Sequence, residues 1–247
     1  MKLFRSLMLA ALGLPSLPLP VFAQAAWTSK PLHLIVPYSP GGGASGVIAA
    51  TALAQADPDC YTVLYDASTF AVNPALRKQP FDPARDLIPA SLAVTVPNIL
   101  VVAPNAPYRS FAEFIDYARK NPGKTTFASY GSGLTYVTTG NLRVLAVTSS
   151  KRMTALPEVP TISESGFKGF EVLEWNGFFL PKNAPREIVQ KLSKEIQAAA
   201  KDADTLKRLR QLNVDPVGGT PEEFADFLHA EMTRWTALVK SNKITAD

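Results

Sequence analysis

The apolar run Leu32-His33-Leu34-Ile35-Val36, followed at once by Pro37-Tyr38-Ser39-Pro40-Gly41-Gly42-Gly43, constrains the fold more than any other stretch of the chain. The run reads as a buried strand, and the Pro/Gly segment behind it stops that strand. A strand ending in such a turn delivers free backbone N–H groups to the carboxyl edge of a sheet, where open α/β folds hold anionic ligands. The residues alone leave two readings open: a cradle for a small acid, or an ordinary βα turn whose glycines relieve φ constraints.

The amino-terminal segment stands apart from the fold. Lys2 and Arg5 precede an apolar stretch at residues 7–14, and small residues follow at Ala23, Ala25 and Ala26. That pattern predicts a secretory signal peptide cleaved after Ala23 or Ala25, and hence a periplasmic or secreted protein. Broken by Pro15, Pro18 and Pro20, the stretch is too short to span a bilayer, so no membrane insertion is expected. Leaving out Lys2 and Arg5, the 25 basic residues fall to 23, nearly level with the 21 acidic ones. The densest basic stretch, Lys207-Arg208-Leu209-Arg210, is spaced as the solvated face of a helix, and no nucleic-acid partner is expected.

Chemistry is sparse. The sequence contains no metal-spaced His/Cys/Asp/Glu cluster, nucleophile elbow or phosphate-loop lysine, so neither enzymatic activity nor a cofactor is expected. The single cysteine, Cys60, excludes an intramolecular disulfide. As a nucleophile it lacks a base, because His33 falls in a strand and His229 in an amphipathic helix. An acid/base reading would have to use Asp57, Asp59 or Asp66, which read as turn and cap residues.

Strands are predicted at residues 32–36, 61–65, 99–103, 125–129, 142–148 and 177–180, with helices between them, which makes the class α/β. Ser110-Phe111-Ala112-Glu113 reads as a capping box opening a helix that Asn121-Pro122-Gly123 stops. Pro185 opens a helix with Ile188, Val189, Leu192 and Ile196 on one face, and Leu206, Leu209 and Leu212 mark a shorter one. Thr220-Pro221-Glu222-Glu223 combines an N-cap, a first-turn proline and a capping box, and the stripe Phe224, Phe227, Leu228, Met232, Trp235 and Val239 behind it reads as core. A second small-residue loop, Ala128-Ser129-Tyr130-Gly131-Ser132-Gly133, closes a predicted strand, so two such loops are able to face each other across a cleft.

The order of segments resembles one family. Trp27-Thr28-Ser29-Lys30-Pro31 leading into Ile35-Val36-Pro37-Tyr38-Ser39-Pro40-Gly41-Gly42, Asp57-Pro58-Asp59-Cys60-Tyr61-Thr62-Val63-Leu64, Asn73-Pro74-Ala75-Leu76 and Phe81-Asp82-Pro83-Ala84-Arg85-Asp86-Leu87 all look like the Bug receptors of tripartite tricarboxylate transporters. So do Pro97-Asn98-Ile99-Leu100-Val101-Val102, Leu142-Arg143-Val144-Leu145-Ala146-Val147-Thr148, Pro157-Glu158-Val159-Pro160-Thr161 and Pro216-Val217-Gly218-Gly219-Thr220-Pro221-Glu222-Glu223-Phe224. The resemblance implies a type II periplasmic-binding-protein fold whose two α/β lobes close on a small carboxylate and present it to membrane permease subunits. Carried over, the ligand-binding residues are Tyr38, Ser39, Pro40, Gly41, Gly42 and Gly43 in one lobe and Ser129, Gly131 and Ser132 in the other. A carboxylate accepts bonds from such N–H and O–H donors without a cationic side chain.

On this reading residues 1–25 are the signal peptide, 26–97 and 149–247 form lobe 1 with the C-terminal helices, and 98–148 form a reduced lobe 2. Two units of the family look absent: a helix and strand of about 30 residues after Gly43, and about 60 residues between Gly133 and Thr139. The first loss heals if Ser45 caps a fused helix between strands 32–36 and 61–65. The second leaves one helix and three strands, with a hairpin between residues 134–137 and 142–144, to build the whole second lobe. The expected function is therefore capture of a small carboxylic acid with weakened affinity. The alternative is a remnant without binding, or a single-lobe module that docks on another protein.

Overall fold

The computed structural model describes residues 27, 29–37, 46–126, 137 and 139–245. In chain order its strands are β1 (His33–Ile35), β2 (Thr62–Ala67), β3 (Leu87–Pro97), β4 (Ile99–Val102), β5 (Arg143–Val147), β6 (Leu173–Pro181) and β7 (Asp215–Pro216). Its helices are α1 (Val47–Ala54), α2 (Thr69–Leu76), α3 (Phe111–Lys120), α4 (Arg186–Ala199), α5 (Ala203–Gln211) and α6 (Pro221–Asn242). Five strands form one sheet in the order β1-β2-β6-β3-β7, and β4 and β5 pair as a separate two-stranded sheet.

Both faces of the large sheet are covered, as strands apolar on both sides require. On one face α1, α2 and α6 bury Leu53, Phe70, Phe224 and Leu228 against Leu64, Leu92, Trp175 and Phe179. On the other, α4 brings Val189 onto Val63, Ala90 and Leu180, with Cys60 in the same cluster. Helix α6 starts as its local sequence predicts. The Thr220 hydroxyl accepts from the Glu223 N–H at 3.2 Å, the Glu223 carboxylate accepts from the Thr220 N–H at 2.8 Å, and Pro221 stands at the first helical position. The aromatic stripe behind it is core, with Phe224 and Leu228 buried and Phe227, Met232 and Trp235 packed against them.

Several expectations are corrected. The longest strand, β3, lacks a clean local signature because Pro89 and Pro97 interrupt it. Its pairing with β6 skips a residue between Pro89 and Ser91 and again between Leu92 and Val94, bulges that absorb what a regular ladder cannot. Helix α2 forms although Pro74 lies inside it, because packing of Phe70 and Ala71 offsets the lost N–H. The strand expected at 177–180 begins earlier, at Leu173. At α3 the Ser110 hydroxyl accepts from the Glu113 N–H, but the Glu113 carboxylate reaches back to the N–H of Arg109 rather than Ser110, so the capping box is displaced by one residue. Helix α1 begins at Val47 with Gly46 as its N-cap; the expected capping residue, Ser45, lies outside the described residues.

Around the small sheet the corrections are larger. Of the strand expected at 125–129, Thr125 and Thr126 are exposed and belong to no strand, and residues 127–129 lie outside the described residues. Residues 134–136 of the expected hairpin lie outside the described residues; β5 pairs with β4, from Ile99–Val147 to Val102–Arg143. The cluster beneath is thin: Phe111, Leu145, Ala146 and Ile162 are its buried members, with Phe114, Ile115 and Phe170 at its edge.

Asp86 ties the segment before β3 to the end of β6. Its carboxylate accepts from the Asp82 N–H at 2.9 Å, from Arg85 Nε at 3.1 Å and from Lys182 Nζ at 3.3 Å. The Arg85 guanidinium, helped by the Asp82 N–H, holds this carboxyl well below the usual carboxylate range. A depressed acid contributes stability that is present above its unfolded value near 3.8 and is lost as pH falls toward the folded value. Urea denaturation is therefore expected to show stability declining below about pH 4, and more shallowly in Asp86→Asn. Equal slopes in the two proteins would show that the pair contributes nothing to acid sensitivity.

Candidate functional site

Strand directions decide where a ligand edge lies. β1 runs parallel to β2, β2 antiparallel to β6 and β6 antiparallel to β3. The carboxyl ends of β1, β2 and β3 therefore meet the amino end of β6 at one edge of the sheet, the edge where open α/β sheets bind ligands. The nine residues expected to hold the ligand, Tyr38, Ser39, Pro40, Gly41, Gly42, Gly43, Ser129, Gly131 and Ser132, lie outside the described residues. Their flanks are described: Pro37 follows β1, and Gly46 caps α1.

Two polar contacts line this edge; of their residues the sequence singled out only Asp66, and only as a turn or cap residue. Asp66 is in β2 and fully buried, so its reading as a turn or cap residue is corrected. Its Oδ1 accepts from the Ala67 N–H at 2.8 Å. A Cβ built on Gly46 would stand 2.5 Å from Asp66 Oδ2 and 2.7 Å from Oδ1, so the carboxylate lies against the amino-terminal turn of α1 and only glycine fits there. That end of a helix is where a carboxyl group is favoured, and the chain places the carboxyl of Asp66 there. Beside it the Ser68 hydroxyl, at the start of α2, donates to the Glu174 carboxylate of β6. The legible signal was an ionisable residue closing an apolar strand.

The other acidic candidates are turn residues. Asp59 accepts from the Tyr61 N–H at 3.0 Å and pairs with Lys30 at 3.0 Å, which lowers its pKa. Cys60 is buried, and desolvation pushes its thiol up to about 11, so at neutral pH it is a protonated core side chain.

A cavity of about 640 Å³ opens at the same sheet edge, between the segment after β5, the end of β3 and the turn from α5 to β7. Pro97 and Leu173 form its apolar wall, and Lys151, Arg152, Arg210 and Asp215 its polar rim. Arg152 is held by Glu164 at 2.9 Å. The size is that of a small-ligand pocket. Among the described residues no helix is long and apolar enough to cross a membrane.

A mixed five-stranded sheet covered by helices, with a separate two-stranded sheet, fits the periplasmic-binding-protein fold, and solved structures of that class superpose on the chain. The periplasmic binding protein BugD matches with a TM-score of 0.75 and 25% identity, over 89% of this chain and 99% of that one. An R. palustris protein solved with adipate matches with a TM-score of 0.77 and 25% identity, over 89% and 99%. The sequence profile of the tripartite tricarboxylate transporter family receptors, TctC, matches residues 29–135 and 132–244, and the chain belongs to that family of solute-binding receptors. A relative from Pseudomonas sp., the UPF0065 protein in the tcbD-tcbE intergenic region, is 29% identical over 299 aligned residues, covering 90% of this chain and 89% of the relative. Since this chain has only 247 residues in all, the relative carries internal segments that are missing here.

Proposed function

We propose that the chain is a receptor that captures a small carboxylic acid in the periplasm, after removal of residues 1–25, and hands it to the permease subunits of a tripartite tricarboxylate transporter. The observation that carries this reading is the adipate-bound R. palustris relative, matched over 99% of its length. A straight-chain dicarboxylate is accordingly the ligand class. One carboxylate is gripped by N–H and O–H donors of Tyr38, Ser39, Pro40, Gly41, Gly42 and Gly43, and the second lobe closes through Ser129, Gly131 and Ser132. Residues 26–97 and 149–247 supply lobe 1 and residues 98–148 lobe 2, onto which Ile162 and Phe170 also pack.

The same reading sets the affinity. Asp66 and Glu174 place two carboxyl groups at the ligand edge, and a thin second cluster gives one jaw of the clamp little rigidity. Affinity is expected to fall well below that of a relative with both units present. The small second cluster also favours a second reading, a remnant that no longer binds. Thermal unfolding against mono-, di- and tricarboxylic acids separates the two. A midpoint raised by one acid supports the receptor, since a ligand selective for the folded state must stabilise it. A broad transition indifferent to every acid supports the remnant.

A further inference from the structure

Among the described residues, strand β1 is an edge of the large sheet and is bonded to β2 alone. The His33 N–H donates to the Tyr61 carbonyl at 2.7 Å, and in a parallel ladder the groups facing one neighbour alternate along the strand. His33 and Ile35 thus face β2, and the N–H and C=O groups of Leu32, Leu34 and Val36 point outward. The side chains of those same three residues share one face of the strand and are 40%, 49% and 48% exposed. An apolar stripe and a row of open main-chain groups coincide on one edge.

The usual guards against pairing are missing from it. Pro31 and Pro37 fall on the alternation that faces β2, so the N–H each lacks is not one the outer edge would use. Lys30, the nearest lysine, is held by Asp59 at 3.0 Å and lies 4.2 Å from the centre of the Tyr61 ring. Between residues 32 and 36 the only ionisable side chain is His33.

We propose that this edge pairs with the same edge of a second copy, antiparallel about a two-fold axis through Leu34. In that register Leu34 opposes Leu34, Leu32 opposes Val36 and His33 opposes Ile35, so no like charges meet and the apolar stripes adjoin. Leu32, Leu34 and Val36 of the two copies exchange about six main-chain hydrogen bonds, joining two sheets into one. Two-fold pairing of like edges is favoured over head-to-tail association because the opposite edge, β7, has two residues and ends in Pro216, too little to accept a strand. Isologous pairing also closes after two copies. The proposal is independent of the solute reading.

Sedimentation of the exported chain at about 50 μM, enough to populate a dimer of micromolar dissociation constant, is expected to show a dimer. Leu34→Lys should give a monomer that still unfolds cooperatively, because Leu34 is half exposed in the single copy, with a midpoint that no longer rises with protein concentration; Val36→Lys repeats the test if that variant does not fold. Under mild oxidation Leu34→Cys should form a reducible covalent dimer, the two Cα atoms lying about 5.5 Å apart across the axis. The native Cys60 is buried and does not compete. A monomeric wild type, a dimer that survives both lysine variants, open-ended assemblies, or no cross-link from Leu34→Cys would each overturn the proposal.

Discussion

Phe224→Ala is expected to remove about 3–5 kcal/mol of stability, among the largest single losses on the sheet face that α6 covers. The ring is fully buried at the first turn of α6. Its centroid lies 5.7 Å from that of Trp175, edge to face, and 5.1 Å from that of Phe179. Truncation leaves a cavity beneath a helix whose capping box pins its start, so the helix has little freedom to sink and fill it. Against a total of roughly 5–15 kcal/mol, such a loss unfolds a large share of the molecules. Urea denaturation should show a lower midpoint at unchanged slope. A loss below about 1 kcal/mol would show that the α6 contact does not secure the sheet.

Gly177→Ala is expected to cost about 1–3 kcal/mol or more, through the same contact and with the opposite change of volume. Gly177 sits in β6 opposite Asp66 of β2 and Leu92 of β3, in the middle of the sheet. A Cβ there would stand 2.2 Å from Phe224 Cζ and 2.6 Å from Cε1, well inside contact distance. Neither partner has room to retreat, since the ring is walled in by Trp175 and Phe179 and the strand is paired on both sides. Because one contact causes both costs, combining Gly177→Ala with Phe224→Leu should cost less than the sum of the single changes. Additive costs would place the effect of Gly177→Ala elsewhere.

What was legible in the sequence was local. The Thr220 capping box, Pro221 and the stripe from Phe224 to Val239 specify α6 within a few turns, and the structure forms it as specified. Strand β3 was hidden because Pro89 and Pro97 are strand breakers by themselves; they are accommodated by bulges and by β6, which is distant in the chain. Pro74 concealed α2 in the same way. The two small-residue loops lie outside the described residues; at the described sheet edge, the placement of Asp66 against Gly46 was not legible. That placement follows from α1 lying over β2, which residue spacing does not express. The resemblance to the receptor family carried the fold class across these gaps because it uses collinear motifs rather than local propensity.

The central claim is that a shortened clamp still recognises a dicarboxylate, and calorimetric titration of adipate into the chain without residues 1–25 tests it most directly. The account predicts saturable one-to-one binding with a dissociation constant between about 10 μM and a few millimolar, roughly −7 to −3.5 kcal/mol. No saturable binding of adipate or of its shorter and longer homologues to a chain that unfolds cooperatively would contradict the receptor reading. Nanomolar binding would contradict the weakened clamp.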